Sequence, residues 1–326
     1  MRDPISLPKA HLHLHLEGSA RPTTIEEFAT RAGVNYRVPS TFADFPEFND
    51  AYLAMTMFIQ RPEDLIRICR EVIEDDASQG VRYSEPEFVP GFYAERFGMT
   101  EFEVFCLIRD AFQEAGREHG VEVGCMICGL WPLPIAEAEA AARFAAANRA
   151  ESVVAFGFAS IEPVSDYGRW ARARDIAHAA GLLVIPHVGE FTPAASVREV
   201  IDELRPDRIA HGGRAIEDPA VVALLAERGI TCDVAPTSNI VLGVFPAMTA
   251  HPLPKLIEAG VPVTLNADDS LFFGSLVGEE YRIARDTFGL SDEQLAAISR
   301  TSVDASGAPP ETKVRIRQEI DAWLTG

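Results

Sequence analysis

Residues 9–18 read Lys-Ala-His-Leu-His-Leu-His-Leu-Glu-Gly, so the imidazoles His11, His13 and His15 recur at every second position. Polar and apolar residues alternate with the period of a strand, which would put all three imidazoles on one face. Such a face is costly to bury unless something binds it. On its own the pattern fits half-exposed strand histidines equally well. Two clusters downstream turn the reading towards a metal: His187-Val188-Gly189-Glu190 and Asn266-Ala267-Asp268-Asp269.

Three imidazoles and one carboxylate form a borderline-soft, partly anionic donor set, suited to a catalytic zinc with water in an open position. His13 and His15, two apart on a strand, can reach one ion, and His187 and Asp268 would approach it from across the fold. Such an ion lowers the pKa of its bound water towards ~7, which makes hydroxide available at neutral pH. Glu190, three residues past a ligand on a glycine-containing turn, can serve as a proton carrier. His211, in Arg208-Ile-Ala-His-Gly-Gly, can hold or deprotonate the attacking water. Asp269 sits beside a ligand but points elsewhere, so it could accept a hydrogen bond from substrate.

These residues need strands to carry them. Strand patterns recur at 9–18, 81–88, 121–130, 153–160, 182–190, 208–213, 231–236 and 261–269, with helical patterns between most of them. Eight apolar strands alternating with helices predict an α/β fold, a (β/α)8 TIM barrel, over one domain spanning 1–326. His13, His15, His187, Glu190, His211, Asp268 and Asp269 all fall at or just past the carboxyl ends of strands 1, 5, 6 and 8. That is the end where barrel enzymes place their chemistry.

A helical segment over 20–80 follows the first strand. It opens at Pro22, has a stop signal at Gly33 and includes a second helix near 62–79. Phe48, Tyr52 and Met55 form one stripe at helical spacing, and residues 48–58 fit either the barrel wall or a lid over the mouth. Two extra helices, near 291–304 and 309–324, end the chain.

Of the 326 residues, 47% are hydrophobic, enough for a large core, and the formal charge is −20. That charge disfavours a nucleic-acid backbone or an anionic membrane surface as partner. No stretch approaches the ~20 apolar residues of a membrane span, and the N-terminus lacks a secretory apolar region. Five scattered cysteines fit reduced thiols in a cytoplasmic enzyme.

Four separated motifs, in order, carry a family resemblance: Pro8–Ser19, His187–Glu190, Arg208–Gly213 and Leu265–Ser270. They resemble the signature segments of the adenosine deaminase family within the amidohydrolase superfamily. The likeness extends through 81–90, 153–162, 236–244 and 251–269, nearly the whole chain. It implies a zinc-dependent barrel that deaminates a 6-aminopurine, a small molecule, with one zinc per chain and iron or manganese as substitutes. His13, His15, His187 and Asp268 match the family's metal ligands. Glu190 matches the glutamate that protonates the purine ring nitrogen, His211 the histidine that positions water, and Asp269 the residue on the imidazole side of the purine. Glu17 resembles an acidic residue near the ribose, and Ser160 falls where the family's backbone contacts the purine.

Four positions depart from that pattern: His11 for the usual glutamate, Val188 for alanine, Ser160 for glycine and Ser270 for proline. The pocket is thereby expected to differ from that of a typical adenosine deaminase, with adenine, adenosine, 6-aminodeoxyfutalosine or another modified adenine nucleoside as substrate. The other readings are hydrolysis of another cyclic amide or amidine, and a non-catalytic nucleoside-binding barrel. The latter needs neither Glu190 nor His211.

The remaining motifs read as structural. Cys125-Met-Ile-Cys128 lies in an apolar strand without a second pair, so buried thiols are expected. His119 and His178 read as surface residues and His251, before Pro252, as a structural hydrogen-bonding group. Asp75-Asp76 and Glu279-Glu280 read as solvated helix charges.

Overall fold

The computed structural model describes residues 2–326. It is an α/β barrel of parallel strands ringed by helices, built from ten strand segments. These are β1 (Lys9–His11), β2 (Val81–Ser84), β3 (Glu87–Phe88), β4 (Glu122–Val123), β5 (Cys125–Leu130), β6 (Val153–Ala159), β7 (Leu183–Val188), β8 (Arg208–His211), β9 (Thr231–Val234) and β10 (Val263–Leu265). The order runs β10-β9-β8-β7-β6-β5-β3 in one group and β1-β2-β4 in the other. The predicted strand at 81–88 is split at Pro86, which has no N–H to give the ladder. That at 121–130 is split at Gly124, where a Cβ would lie 2.2 Å from the Tyr83 hydroxyl.

The ring closes through a side chain. Asn266 Oδ1 accepts the backbone N–H groups of Leu12 and His13, at 3.0 and 3.1 Å. Just beyond, the Asp268 N–H donates to the His13 carbonyl and the His15 N–H to the Asp268 carbonyl. The first strand is therefore shorter than the predicted 9–18, and its pairing shifts register between Lys9 and Ala10. The strict alternation that would have grouped three imidazoles is broken. His11 leaves the set: its Nδ1 lies 2.8 Å from Asp76 Oδ1, and its Nε2 accepts the Ala267 N–H at 3.1 Å.

The first three helices, α1 (Pro22–Arg31), α2 (Phe45–Thr56) and α3 (Pro62–Ser78), lie between β1 and β2, within the predicted helical segment. Two more, α4 (Gly91–Phe97) and α5 (Glu101–His119), precede β4. The outer ring continues with α6 (Ile135–Ala147), α7 (Ala171–Ala179), α8 (Ala194–Leu204) and α9 (Pro219–Arg228). Short helices α10 (Pro236–Val241), α11 (Leu253–Glu258) and α12 (Ser270–Phe273) follow, then α13 (Val277–Asp286). The predicted terminal pair is α14 (Asp292–Ala305) and α15 (Pro310–Thr325).

The main apolar core lies between strands and helices, and a separate small cluster from β5 to β8 contains Met126, Cys128, Ala155, Ala159, Ile185 and Ala210. The inner cluster is what a parallel barrel needs, since its strands are covered on both faces. Arg208 is buried with it, donating to Glu85 at 2.7 Å and to Asp233 at 2.8 Å.

Two expected surface charges are buried instead. Asp76 takes the Ser84 hydroxyl at 2.6 Å as well as His11, while Asp75 pairs with Arg21. Glu280 takes the Thr237 N–H at 3.2 Å and the Ser275 hydroxyl. In both acidic pairs adjacent helix positions face opposite environments, which the residue types alone do not reveal. His251 is buried and structural as expected, with Nε2 against Asn239 and Nδ1 accepting the Leu253 N–H. His119 is exposed and His178 half-exposed beside Asp207.

Candidate active site

Strand ends bring buried His13, His187, His211, Asp268 and Asp269 together with half-buried His15, and Glu190 joins them from the turn after β7. His13 Nε2 lies 3.3 Å and His15 Nε2 3.2 Å from Asp268 Oδ1. The rings of His13 and His187 stand edge to face with centroids 4.8 Å apart, and those of His13 and His211 at 4.6 Å. Asp268 and His211 both sit at left-handed φ, 59° and 69°. Non-glycine residues rarely adopt that conformation, and it turns both side chains at the point where their strands end.

Backbone carbonyls fix which imidazole nitrogens face inward. His187 Nδ1 bonds the Phe158 carbonyl at 2.8 Å, and His13 Nδ1 the Asp233 carbonyl at 3.2 Å. Each Nδ1 must therefore carry the proton, leaving Nε2 as a lone pair aimed into the group. Both Nε2 atoms are buried without a hydrogen-bond partner. Trp131 Nε1 donates to the His187 carbonyl at 3.1 Å and the Ser238 hydroxyl to Asp268 Oδ2 at 2.7 Å, which hold those two residues in place.

Burial dominates the electrostatics. It pushes the His187 imidazole down to about 4 and, with the neighbouring His13, holds His211 well below its ordinary value. Burial, followed by the charges of Asp268 and Glu162, raises the Glu190 carboxyl well above the usual carboxylate range. Burial likewise raises Asp269, although His15 pulls the other way. For Asp268 burial acts upward but the contacts with His13 and His15 win, and its carboxyl is held far down. The site thus holds carboxyls pushed in opposite directions a few ångströms apart, Glu190 and Asp269 up and Asp268 down.

Glu190 Oε2 stands 3.5 Å from His211 Nε2. Its backbone N–H donates to Glu162 Oε1 at 3.1 Å, and Glu162 also takes the Thr192 N–H at 3.0 Å, fixing the turn. Glu17 is buried with both oxygens occupied, by Tyr93 at 2.8 Å and Tyr52 at 2.9 Å. Ser160, at φ 74°, has its hydroxyl 3.4 Å from Asn49 Oδ1 on α2.

His15, Glu17, Ser160, His187, Glu190, His211, Asp268 and Asp269 line a cavity whose empty space, counting its opening to solvent, is about 790 Å3. Phe45, Phe48, Asn49, Tyr52 and Leu53 of α2 line it, so that helix forms one of its walls. Of the predicted stripe, Met55 goes to the core instead; Phe58, just past the helix, packs on Tyr36.

Sequence reasoning missed Glu87. It is buried, with Oε1 2.7 Å from His15 Nδ1 and 3.4 Å from His187 Nε2. Its only sequence signal is a second acidic residue in Glu85-Pro86-Glu87 at a strand end. Cys128, read as a plain buried thiol, donates to Glu87 Oε2 at 3.0 Å. Ser238 and the carbonyls of Phe158 and Asp233 carry no signal in sequence, because only the folded backbone aims them.

A polar, histidine-rich group at the carboxyl ends of barrel strands is the architecture of a barrel enzyme. Comparison with known proteins narrows this further. The adenosine deaminase family model matches residues 8–323, and the chain belongs to that family. An aminodeoxyfutalosine deaminase of Streptomyces coelicolor is 37% identical over 98% of this chain and 86% of its own. The crystal structure of an adenine deaminase from Arthrobacter aurescens superposes with a TM-score of 0.89 at 27% identity, over 98% of this chain and 99% of that one. An amidohydrolase from Burkholderia ambifaria with bound zinc gives 0.85 at 25%, over 99% and 93%.

Proposed function

We propose that the chain is a hydrolytic deaminase of a 6-aminopurine base or nucleoside that works with one zinc ion per chain. The observation that carries the reading is the convergence of two partnerless imidazole nitrogens, on His13 and His187, with His15 and the ionised Asp268. Family membership supports removal of an amino group from a purine, and the zinc in the Burkholderia protein supports the choice of metal.

The residues present fit a divalent cation. Buried lone pairs on locked tautomers are stabilised by a cation and by little else in an apolar surround. His13, His15, His187 and Asp268 would hold it, and the donor set suits zinc, with iron or manganese as substitutes. When bound, the ion supplies electrostatic activation of a water nucleophile at neutral pH.

The protein's own groups do the rest. Glu190, whose carboxyl burial pushes up, donates to the ring nitrogen beside the amine-bearing carbon and makes that carbon electrophilic. His211, kept neutral, accepts the proton of the attacking water. The carbon gains the water oxygen; its amino group takes the proton held by His211 and leaves as ammonia, while the proton of the added hydroxyl returns to Glu190 as the carbonyl forms. Asp269 accepts a hydrogen bond from the other side of the purine, while Glu17 and Ser160 bound the remainder of the substrate. The α2 helix excludes bulk water.

Elemental analysis with an ammonia-release screen over adenine, adenosine and 6-aminodeoxyfutalosine tests the proposal. One divalent ion per chain and ammonia from at least one compound are expected. Absence of a transition metal together with chelator-resistant turnover would reject the zinc. Silence on every aminopurine by the metal-loaded protein would reject the deaminase reading.

A further inference from the structure

His13 is held at both ends by one buried chain of side chains that takes no part in the reaction described above. Its members are Arg208 on β8, Asp233 on β9, Thr264 on β10 and Asn266 just beyond β10, all fully buried. Asp233 and Thr264 are direct neighbours in the sheet register. Arg208 Nε donates to Asp233 Oδ2 at 2.8 Å, and the Thr264 hydroxyl donates to Asp233 Oδ1 at 2.7 Å. Asn266 Nδ2 donates to Thr264 Oγ1 at 2.8 Å, while Asn266 Oδ1 accepts the Leu12 and His13 N–H groups. The Asp233 backbone carbonyl takes the other end of the histidine, at Nδ1.

This chain admits only one direction of protons. The Asp233 carboxylate, paired with Arg208, only accepts, so the single hydroxyl hydrogen of Thr264 must point at it. Thr264 Oγ1 then faces Asn266 with lone pairs alone. The amide must present its NH2 there and its oxygen to the first strand. Inverted, it would set its own N–H groups against two buried backbone N–H groups and leave them unsatisfied.

We propose that Asp233 is a positioning residue for His13, acting through Thr264 and Asn266. Its carboxylate sets the direction of the Asn266 amide, which fixes the His13 backbone, and its carbonyl fixes the His13 imidazole. The functional consequence rests on the metal reading above, because His13 is one of the residues that would hold the ion. Outer hydrogen-bond partners of this kind change metal affinity by about 10–100-fold when they are lost.

The test compares wild type with Asp233→Asn, Thr264→Val and Thr264→Ser, by residue-resolved amide exchange in excess zinc and by zinc dissociation constants from competition with a chelator. Asparagine can donate to Thr264, which frees the hydroxyl hydrogen to turn towards Asn266 and invert the amide. Valine removes the relay, and serine keeps it. Asp233→Asn and Thr264→Val should exchange the Leu12 and His13 amides at least about tenfold faster, with the rest of the barrel little changed. Both should bind zinc about 10–100-fold more weakly, whereas Thr264→Ser stays close to wild type in both measurements. If Asp233→Asn does not fold, the two Thr264 variants carry the same comparison. A merely structural role would speed exchange throughout the barrel and leave serine no better than valine. That result overturns the proposal, as does unchanged Leu12 and His13 protection with unchanged zinc affinity in folded Asp233→Asn or Thr264→Val. Wild-type protein that binds no zinc would overturn the metal reading alone, and exchange at Leu12 and His13 would still decide whether the chain holds His13.

Discussion

A Cβ on Gly18 would fall 1.6 Å from Asp269 Oδ1, inside the carboxylate. The glycine that follows the histidine-rich strand is therefore required by the neighbouring strand end, where the ring closes. Gly18 has no φ constraint of its own in the left-handed region, and close approach alone accounts for its presence.

Gly18→Ala must push Asp269 away from the cavity. Because Asp269 adjoins Asp268 in sequence, a displacement of about 1 Å reaches the proposed metal ligands, and such misplacement costs on the order of 10²-fold in turnover. Stability should fall by only about 1–3 kcal/mol, the usual result of one overpacked carbon. Steady-state kinetics and thermal melts on the same preparation check both numbers. Unaltered turnover would mean that Asp269 is not held where substrate needs it.

The two ends of the α2 segment should separate mouth from wall. Tyr52 reaches Glu17 Oε2 from the helix across the cavity, whereas Phe58 packs on Tyr36 with ring centroids 4.8 Å apart. Tyr52→Phe should raise the Michaelis constant for the purine with little change in melting temperature. Phe58→Ala should do the reverse, losing roughly 1–3 kcal/mol of stability at an unchanged Michaelis constant. Equal loss of stability in both would place α2 with the barrel wall rather than a lid.

What could be read from the chain and what could not divide along a physical line. His13, His15, His187, His211, Asp268 and Asp269 were legible because parallel strands end at a common rim, so position along a strand maps directly onto position in space. His11 was not. The alternation that placed it beside His13 assumed a regular ladder, and the register shift at Lys9/Ala10 with the Asn266 side chain replaces that ladder. Glu87 was hidden because an acidic residue after a proline looks like a loop charge until the Pro86 break sets it facing His15. Glu280 was hidden because its helix neighbour Glu279 is an ordinary surface partner of Arg282. In each case a tertiary contact overrode a correct local pattern.

Glu280 also gives the stability curve a slope. Burial pushes its carboxyl up from 4.5 to about 7, against the bonds from Ser275 and Thr237. The folded state therefore binds this proton more tightly than the unfolded state does. The contribution is fully present below pH 4.5 and is lost as pH rises through about 7, with a total on the order of 3 kcal/mol. Glu280→Gln keeps the shape without the titration. Its melting temperature should exceed wild type at pH 8 and converge with it at pH 4.5. Parallel curves for the two proteins across that window would show that Glu280 does not titrate there.

Glu190 allows proton transfer to be separated from metal binding. Its carboxyl is pushed well above the usual carboxylate range by burial and by Asp268 and Glu162, and it stands 3.5 Å from His211. Among the described residues, none of the groups whose ligand atoms cluster within 4.8 Å includes it. Glu190→Gln retains a hydrogen-bonding amide but has no proton to give at neutral pH. Metal content and fold should survive while turnover falls by ~10²–10⁴, the usual contribution of a positioned acid–base group. A purine analogue shaped like the hydrated substrate should still bind, because Asp269 and the imidazoles are untouched. Loss of metal from this variant would make Glu190 a ligand. Near-normal turnover on a 6-aminopurine would remove it from the chemistry and leave the ring nitrogen without a proton donor.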